Sequence, residues 1–309
     1  MPNLNLLPTL KVLLETRNVS RAAELLHLSQ PSISKQLAQL RREFGDALLV
    51  REGQRWLLTP RAELLAGQLA TPLASLERLY DPPAFDPAAC TRVFRLASSD
   101  YVAQHILPEI CAALAAQAPR AAIAYQLWDK EQLPRLWELE LDLVSTITEE
   151  VPEQICGRAQ GEDRLAVLMG AHHPLAGQRL SLDDYLAWPH LQVSGGGDKD
   201  SPVLAVLGPL GRERRWFAHV PFFQAAVEIL LRTDCLLTTP AHIAWQLARD
   251  HALTFTDLPF ATAPQQYHLL WHRRHHQDPA HRWLRELAWP LLSGHLQDGV
   301  RESSRILSA

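Results

Sequence analysis

Apolar residues in the first sixty positions recur at the spacing of α-helices. A leucine-rich stripe over residues 6–14 predicts a first helix, and Ser20 can cap a second that ends at the turn His27-Leu28. Ser29 can cap a third helix with Pro31 in its first turn, where proline costs no hydrogen bond. The apolar stripe of this third helix consists of Ile33, Leu37, Leu40 and Phe44, at i, i+4, i+7 and i+11.

The other faces of the third helix carry hydroxyl, amide and cationic side chains, which suit DNA base edges and phosphates. After Gly45, extended stretches at 48–51 and 56–58 flank a turn and predict an arginine-bearing wing. This order indicates a winged helix-turn-helix over residues 1–59, with a helical hairpin in an enzyme core as the alternative. The candidate DNA-binding residues are Ser29, Gln30, Pro31, Ser32, Ser34, Lys35, Gln36, Gln39, Arg41, Arg51 and Arg55, of which Gln30, Pro31, Ser32 and Gln36 are expected to read bases.

A longer helix is predicted over residues 60–80, because Thr59 can cap it and apolar residues follow close to a heptad spacing. Leu65, Leu69 and Leu76 are the candidate dimerisation residues, and a helix that packs only on its own chain is the alternative. Pro72 falls on the seam that these leucines form along one face of the helix, and it predicts a bend or a break near Thr71. A proline-rich hinge over residues 81–90 then marks a domain boundary.

Beyond the hinge, strand-like and helix-like stretches alternate, which predicts parallel sheets covered by helices. The first βαβαβ unit spans residues 92–147 and a second begins near Leu165. The chain is expected to cross between two α/β lobes near Gln160 and to return near Gln265. We therefore predict one lobe from residues 91–160 and 266–293, a second from residues 161–265, and a tail over residues 294–309.

The sequence also resembles the LysR-type transcriptional regulators. The match to their DNA-binding domain is ungapped over about sixty residues, although Leu49 stands where the family usually has Phe and Ala62 where many members have Gly. The segments that carry this match are Val19-Ser20-Arg21-Ala22-Ala23, Leu28-Ser29-Gln30-Pro31-Ser32-Ile33-Ser34, Leu48-Leu49-Val50-Arg51 and Leu58-Thr59-Pro60-Arg61. The second half contains the segments Arg95-Leu96-Ala97-Ser98-Ser99-Asp100-Tyr101, His173-Pro174-Leu175, Gln192-Val193-Ser194 and Trp271-His272-Arg273-Arg274. These resemble the subgroup of the family that regulates nodulation and aromatic-compound degradation.

The resemblance implies a DNA-binding transcriptional regulator in the cytoplasm. In this family the linker helix pairs two subunits, so a homodimer or homotetramer on promoter DNA is expected, with RNA polymerase as a further partner. The two-lobed domain would share the fold of periplasmic solute-binding proteins and bind a small-molecule effector between its lobes. An effector-independent DNA-binding protein and a two-lobed small-molecule-binding protein are the alternative functions.

The charge distribution supports the assignment of DNA binding to the N-terminal residues. The whole chain has a net charge of −4, whereas residues 1–59 hold eight Lys and Arg against five acids. The first 59 residues therefore carry a net charge of +3 and the remaining residues a net charge of −7. The negative charge of the remainder would keep it away from DNA. A surplus of three charges is small, so tight binding requires dimerisation.

Ligands of open α/β sheets bind beyond the carboxyl ends of the strands, where helix N-termini favour anions. Hydroxyl groups at helix starts beside an aromatic residue suggest a small organic acid as the effector, with an aromatic acid as one candidate. Asp100 disfavours a strongly anionic effector unless its carboxylate caps a helix. The alternative is that these residues only cap helices. The effector candidates are Ser98, Ser99, Asp100, Thr146, Thr148, Ser194 and Phe222.

The remaining chemistry-bearing residues predict no enzyme, metal site, cofactor or membrane span. The glycine-rich stretch 195–201 lacks the Gly-Lys-Ser/Thr ending of a phosphate loop and is interpreted as a loop that leads into a helix capped by Ser201. The histidines near residues 272–281 run from a strand into a helix without the convergence that a metal needs. Four widely spaced cysteines indicate reduced thiols, and no apolar run approaches the length of a membrane span.

Overall fold

The computed structural model describes residues 3–53, 55–80, 85–194 and 200–308, and the chain forms two compact units, residues 1–83 and 84–309. The first unit is a three-helix core with a two-stranded wing and a long helix. Its elements are α1 (Leu7–Thr16), α2 (Val19–Leu25), α3 (Gln30–Phe44), β1 (Leu49–Glu52), β2 (Arg55–Leu58) and α4 (Pro60–Glu77).

The caps of α2 and α3 define the helix-turn-helix. Ser29 caps α3 as predicted, since its hydroxyl accepts a hydrogen bond from the Ser32 amide. The predicted Ser20 cap is wrong: α2 begins at Val19, and the side chain of Asn18 accepts from the Arg21 amide. The polar residue two positions earlier in the chain therefore determines where α2 starts.

Helix α4 differs from its prediction in two respects. It continues through Pro72 without a break, so of the predicted bend or break near Thr71 the break is wrong. Leu69 and Leu73 are buried in the core of their own unit, which stabilises the helix on both sides of the proline. Leu65 is half-buried there too, whereas Leu76 is exposed. Most of the predicted dimerisation seam thus packs within the chain.

The second unit contains two five-stranded sheets, one in each lobe. The first lobe has the strand order β4-β3-β5-β12-β6, in which the first three strands are parallel and β12 runs antiparallel to both of its neighbours, β5 and β6. The elements that build this lobe before the chain crosses are β3 (Val93–Ser98), α5 (Asp100–His105), α6 (Leu107–Gln117), β4 (Ala122–Leu127), β5 (Leu143–Ile147) and β6 (Ile155–Asp163).

The second lobe has the order β11-β7-β10-β8-β9, with β7 antiparallel to both of its neighbours. The sequence predicted the other strands of both sheets but not β6 and β11. The expectation of purely parallel sheets is wrong, because β7 and β12 each run antiparallel to both of their neighbours. The elements are β7 (Leu165–Gly170), α7 (Leu182–Ala187), β8 (His190–Val193), α8 (Ser201–Leu207), β9 (Trp216–Val220), α9 (Phe223–Leu230), β10 (Leu236–Pro240), α10 (Ala241–Asp250) and β11 (Leu253–Asp257), after which β12 (Gln265–His272) returns to the first lobe.

The last helix, α11 (Pro279–Leu307), joins the two lobes. The sequence predicted that this helix ends at Leu292, whereas the helix has 29 residues in all and includes most of the predicted tail. The Ser293 hydroxyl donates to the carbonyl of Gln160 at the crossover, over 2.8 Å. Beyond it, Gly299 lies directly against His242 at the start of α10. One continuous helix therefore packs on the first lobe, the crossover and the second lobe. Within the described residues no helix is long and apolar enough to span a membrane.

We expect Gly299→Val to destabilise the protein, because any Cβ at this position would lie 2.7 Å from the Cβ of His242. Overpacking of this kind costs about 1–3 kcal/mol in the free energy of unfolding, which a urea titration measures. Gly294→Val is the matched control, since its Cβ would meet nothing within 4 Å. Equal losses for the two variants would show that α11 does not pack closely on α10.

Three histidines, of which His190 and His281 are buried and His295 is half-buried, make stability depend on pH. Burial lowers the pKa of the three imidazoles to about 4, from an ordinary value of 6.5. The unfolded chain therefore binds more protons below pH 6.5, so stability is complete above that pH and falls as the pH drops from 6.5 towards 4.

We expect the urea midpoint to fall between pH 7 and pH 5, with an upper limit of about 2 kcal/mol of unfolding free energy for each histidine. The same comparison between pH 7 and pH 8 is the control, since these groups do not titrate there. A midpoint that is constant or rises on acidification would contradict the neutral state of the three imidazoles in the folded protein.

Candidate functional site

The exposed face of α3 lies opposite its buried stripe. Ile33, Leu37 and Leu40 are buried in the core of the first unit. Gln30 and Lys35 are exposed, as are Pro31 and Ser34. The half-buried Ser32 instead shares a hydrogen bond of 2.7 Å with the Ser29 hydroxyl. An amide, a hydroxyl and an ammonium group therefore face solvent near the start of a helix that cannot rotate without exposing its leucines.

Two glutamines predicted to contact DNA, Gln36 and Gln39, form hydrogen bonds within the domain. The side-chain oxygen of Gln36 accepts from the hydroxyl of Thr9 on α1, over 2.6 Å, and Gln36 is half-buried. Gln39 is half-buried as well and donates to Glu43 one turn further along α3. The Gln36 bond connects α3 to α1, whereas the Gln39 bond lies within α3. Gln36 is therefore less available for a hydrogen bond to a DNA base than the sequence suggested.

Arg41 connects α3 to the wing. Its guanidinium donates to the carbonyl oxygens of Ala47 at 2.8 Å and Leu49 at 2.7 Å. These bonds fix the first strand of the wing relative to α3. At the tip of the wing, Arg51 and Arg55 are exposed on adjacent strands, and Arg51 also donates to the carbonyl of Gly53. The predicted cations that remain able to meet a phosphate are therefore those of the wing and Lys35.

The predicted effector residues after β3 make contacts within the protein. The Ser98 hydroxyl donates to the carbonyl of Ser145, and Ser99 caps α5 by accepting from the Val102 amide. Asp100 accepts from the amide of Phe223 at 2.5 Å, so its carboxylate caps α9 of the other lobe. Ser98 and Ser99 also line a cavity of about 30 Å³, which is large enough for water but not for an organic ring.

An open cleft of about 430 Å³ lies between the lobes, within the size range of small-molecule sites. Thr146 and Thr148 line it from the end of β5, as the rule for strand ends predicted. Ser194 and Phe222 are exposed and line neither this cleft nor the smaller cavity. The stretch 195–199 next to Ser194, which is part of the loop predicted from the sequence, lies outside the described residues.

Other residues that line the cleft were not among the effector residues predicted from the sequence. Trp128 directly follows β4, so the same rule for strand ends would have selected it. Gln265 opens β12, Ser201 opens α8, and both line the cleft. Ser201 is the first residue of α8, with Asp200 rather than Ser201 in the capping position that the sequence suggested. Within the described residues, no group of three His, Cys, Asp or Glu side chains is arranged to hold a metal ion.

Comparisons with known proteins match both units. Residues 4–63 match the bacterial regulatory helix-turn-helix proteins of the lysR family, and residues 91–292 match the LysR substrate binding domain. The regulator SyrM 1 of Sinorhizobium fredii is 33% identical over 92% of this chain and 83% of its own length. The activator NahR of Pseudomonas putida is 30% identical over 94% of this chain and 98% of its own.

Solved structures share the fold. The crystal structure of a probable transcriptional regulator from Pseudomonas aeruginosa is 30% identical, with a TM-score of 0.55 over 93% of this chain and 97% of that one. The structure of a full-length OxyR variant from the same organism is 17% identical, with a TM-score of 0.62 over 94% of this chain and 100% of that one. Because the sequence identity to the OxyR variant is only 17%, that similarity shows a shared fold alone.

Proposed function

Because this chain belongs to the LysR family of DNA-binding transcriptional regulators, we propose how its own residues bind promoter DNA and an effector. The exposed polar face of α3, opposite the buried Ile33, Leu37 and Leu40, is the observation that carries the proposal. A helix of this kind in a helix-turn-helix enters the major groove with its N-terminal residues at the base edges. Gln30 is at that end of α3 and is our candidate for base recognition, with Ser34 beside it.

Lys35, Arg51 and Arg55 are the proposed phosphate and minor-groove contacts. All three are exposed cations, one on the recognition helix and two on the wing. Two residues predicted to contact DNA are proposed instead to position the elements around them. Arg41 positions the wing, because its guanidinium donates to backbone carbonyls of the wing. Gln36 positions α3, because its side chain accepts a hydrogen bond from Thr9. Substitution of either residue would weaken DNA binding indirectly, because α3 or the wing would no longer be held in the same position.

A dimer is proposed because one domain contributes few cations to the DNA-facing surface. Phosphate contacts supply most of the salt-dependent affinity, and pairing two domains doubles their number. On α4, Leu64 and Leu76 are exposed apolar side chains that a second subunit would cover. We propose a homodimer, or a tetramer built from two dimers, in the cytoplasm, with RNA polymerase as the partner of the DNA-bound form.

The cleft between the lobes is the proposed effector site. It is large enough for a small organic molecule, and Thr146 and Thr148 supply hydroxyl groups beside apolar walls. An effector shifts the protein towards whichever conformation it binds more tightly, and the resulting change in the DNA-bound dimer would alter transcription. Because α11 packs on both lobes, a small rearrangement of the cleft is more compatible with this structure than a wide closure.

An effector-independent DNA-binding protein is the second candidate function. The observation that favours it is again α11, which fastens the lobes to each other on one side. The Asp100 carboxylate adds a direct contact between α5 and α9. If the lobes serve only assembly, filling the cleft will leave regulation unchanged.

The division of roles on α3 predicts two different mutant phenotypes. We expect Lys35→Ala to weaken binding to every duplex and to reduce the slope of log K against log salt by about 1, because it removes one phosphate contact. Gln30→Ala should relax the preference for the promoter over random DNA while leaving that slope unchanged. Fluorescence anisotropy with labelled duplexes at several salt concentrations measures both quantities.

The control is Arg120→Ala, which removes an exposed cation from the second unit. It should leave the salt slope and the sequence preference as in the natural chain. Identical effects of Lys35→Ala and Gln30→Ala would refute the separate roles.

The proposed effector site is tested by Thr148→Trp, which places an indole in the cleft. We expect the regulator to retain promoter binding within about twofold but to lose its transcriptional response to inducing growth conditions. A reporter gene under the promoter adjacent to this gene gives the readout, with Glu109→Gln on α6, outside the cleft lining, as the control. A full response in the Thr148→Trp variant would favour the effector-independent function.

A further inference from the structure

The loop between α3 and the wing contains a leucine in a backbone conformation that favours glycine. Leu48 has a φ of 57° and is fully buried in the core of the first unit. A bulky side chain in this left-handed region is strained, because its Cβ comes too close to the following carbonyl oxygen. Such a residue persists only where the surrounding structure holds it in place. The start of β1 therefore depends on the contacts that fix Leu48.

The carboxylate of Asp46 supplies one of those contacts. Its Oδ1 atom accepts a hydrogen bond from the Leu48 amide over 2.7 Å and another from the Thr59 hydroxyl over 2.6 Å. One oxygen thus joins the residue before the first strand of the wing to the residue after the second strand. The Thr59 amide also donates to the Leu48 carbonyl over 3.1 Å. Backbone and side-chain hydrogen bonds therefore close the base of the wing together.

Thr59 connects the base of the wing to α4. Its hydroxyl oxygen accepts from the Ala62 amide and so caps the N-terminus of α4, while the hydroxyl proton goes to Asp46. Ala62 is fully buried in the core of the first unit, which holds the first turn of α4 in place. The Asp46 carboxylate therefore links the wing to a helix that is anchored in the core.

An acid at this place is unfavourable for DNA binding on grounds of charge alone. Asp46 belongs to the unit that we propose to bind DNA, and a carboxylate repels phosphates. The hydrogen bonds from Thr59 and Leu48 hold the pKa of this carboxyl below its ordinary value, so the group is ionised at neutral pH. Its hydrogen bonds within the protein, rather than its charge, therefore indicate its role.

We propose that Asp46 is a positioning residue for the wing. By joining Leu48 to Thr59, its carboxylate fixes the base of the wing relative to α4. The arginines of the wing, Arg51 and Arg55, are thereby held where they meet the DNA backbone. This inference rests on the proposed function, which assigns phosphate and minor-groove contacts to those arginines. Helix α3 is held by its own buried stripe, so Asp46 determines the affinity for DNA but not the sequence preference.

The test measures promoter binding by the full chain, with fluorescence anisotropy at several salt concentrations. We expect Asp46→Ala to reduce the slope of log K against log salt by about 1 to 2, because the contacts of the wing arginines are weakened. Such a change weakens binding by about tenfold to a hundredfold at about 0.1 M salt. Charge alone predicts the opposite sign, since this variant loses a negative charge.

Two further variants separate the hydrogen bonds of Asp46 from its charge. Asp46→Asn removes the charge but keeps an oxygen acceptor, so it should bind within about threefold of the natural chain. Glu15→Ala removes one negative charge from an exposed position on α1 of the same unit. This matched control should bind DNA as tightly as the natural chain or slightly more tightly.

A double-mutant cycle distinguishes positioning of the wing from general damage to the domain. The paired substitution Arg51→Ala and Arg55→Ala should reduce the salt slope by about 2 in the natural chain, but by no more than about 1 in the Asp46→Ala variant. The Asp46→Ala variant should also retain its preference for the promoter over random DNA, as a folded α3 requires.

Full additivity in this cycle, or stronger binding by Asp46→Ala, would overturn the inference. Loss of the promoter preference in Asp46→Ala, or binding by Asp46→Asn that is as weak as that of Asp46→Ala, would overturn it too. An unchanged slope after Arg51→Ala and Arg55→Ala in the natural chain is a different result. It would refute the wing contacts of the proposed function, on which the role of Asp46 rests.

Discussion

The burial of one apolar stripe on α3 determines how the first unit can meet DNA. Ile33, Leu37 and Leu40 pack with residues of α1 and with Leu48 in a single core. Removing such side chains from a core costs several kcal/mol, so the helix has one stable rotation about its axis. That rotation presents Gln30 and Lys35 to solvent, while Arg41 fixes the wing beside them. The surface that we propose for DNA binding therefore follows from packing on the opposite side of the same helix.

The second unit depends on a comparable constraint at its crossover. Helix α11 packs on the first lobe, hydrogen-bonds to Gln160 and continues against α10 of the second lobe. The Asp100 carboxylate links the lobes again by capping α9. The lobes are therefore joined by contacts of α11 and of the Asp100 carboxylate, beside an open cleft of about 430 Å³.

Local sequence signals predicted the first unit well, because caps, turns and apolar spacing act within a few residues. They failed where longer-range packing decides the outcome. Pro72 does not break α4, since buried Leu69 and Leu73 hold both sides of it. The extension of α11 was missed because its contact residues include Gly299 and Ser303, whose small side chains do not form a visible apolar stripe. The cleft residues from distant parts of the chain, such as Thr148 and Gln265, come together only through the sheet topology.

The most direct test of the account is the chemical accessibility of position 34 on α3, in a Ser34→Cys variant labelled with iodoacetamide and analysed by mass spectrometry. We predict rapid labelling of the free protein and strong protection by the promoter duplex, with the exposed native Cys111 of the second unit as the internal reference. A thiol at position 34 that is unreactive without DNA, or equally reactive with and without it, would contradict the assignment of this face of α3 to DNA.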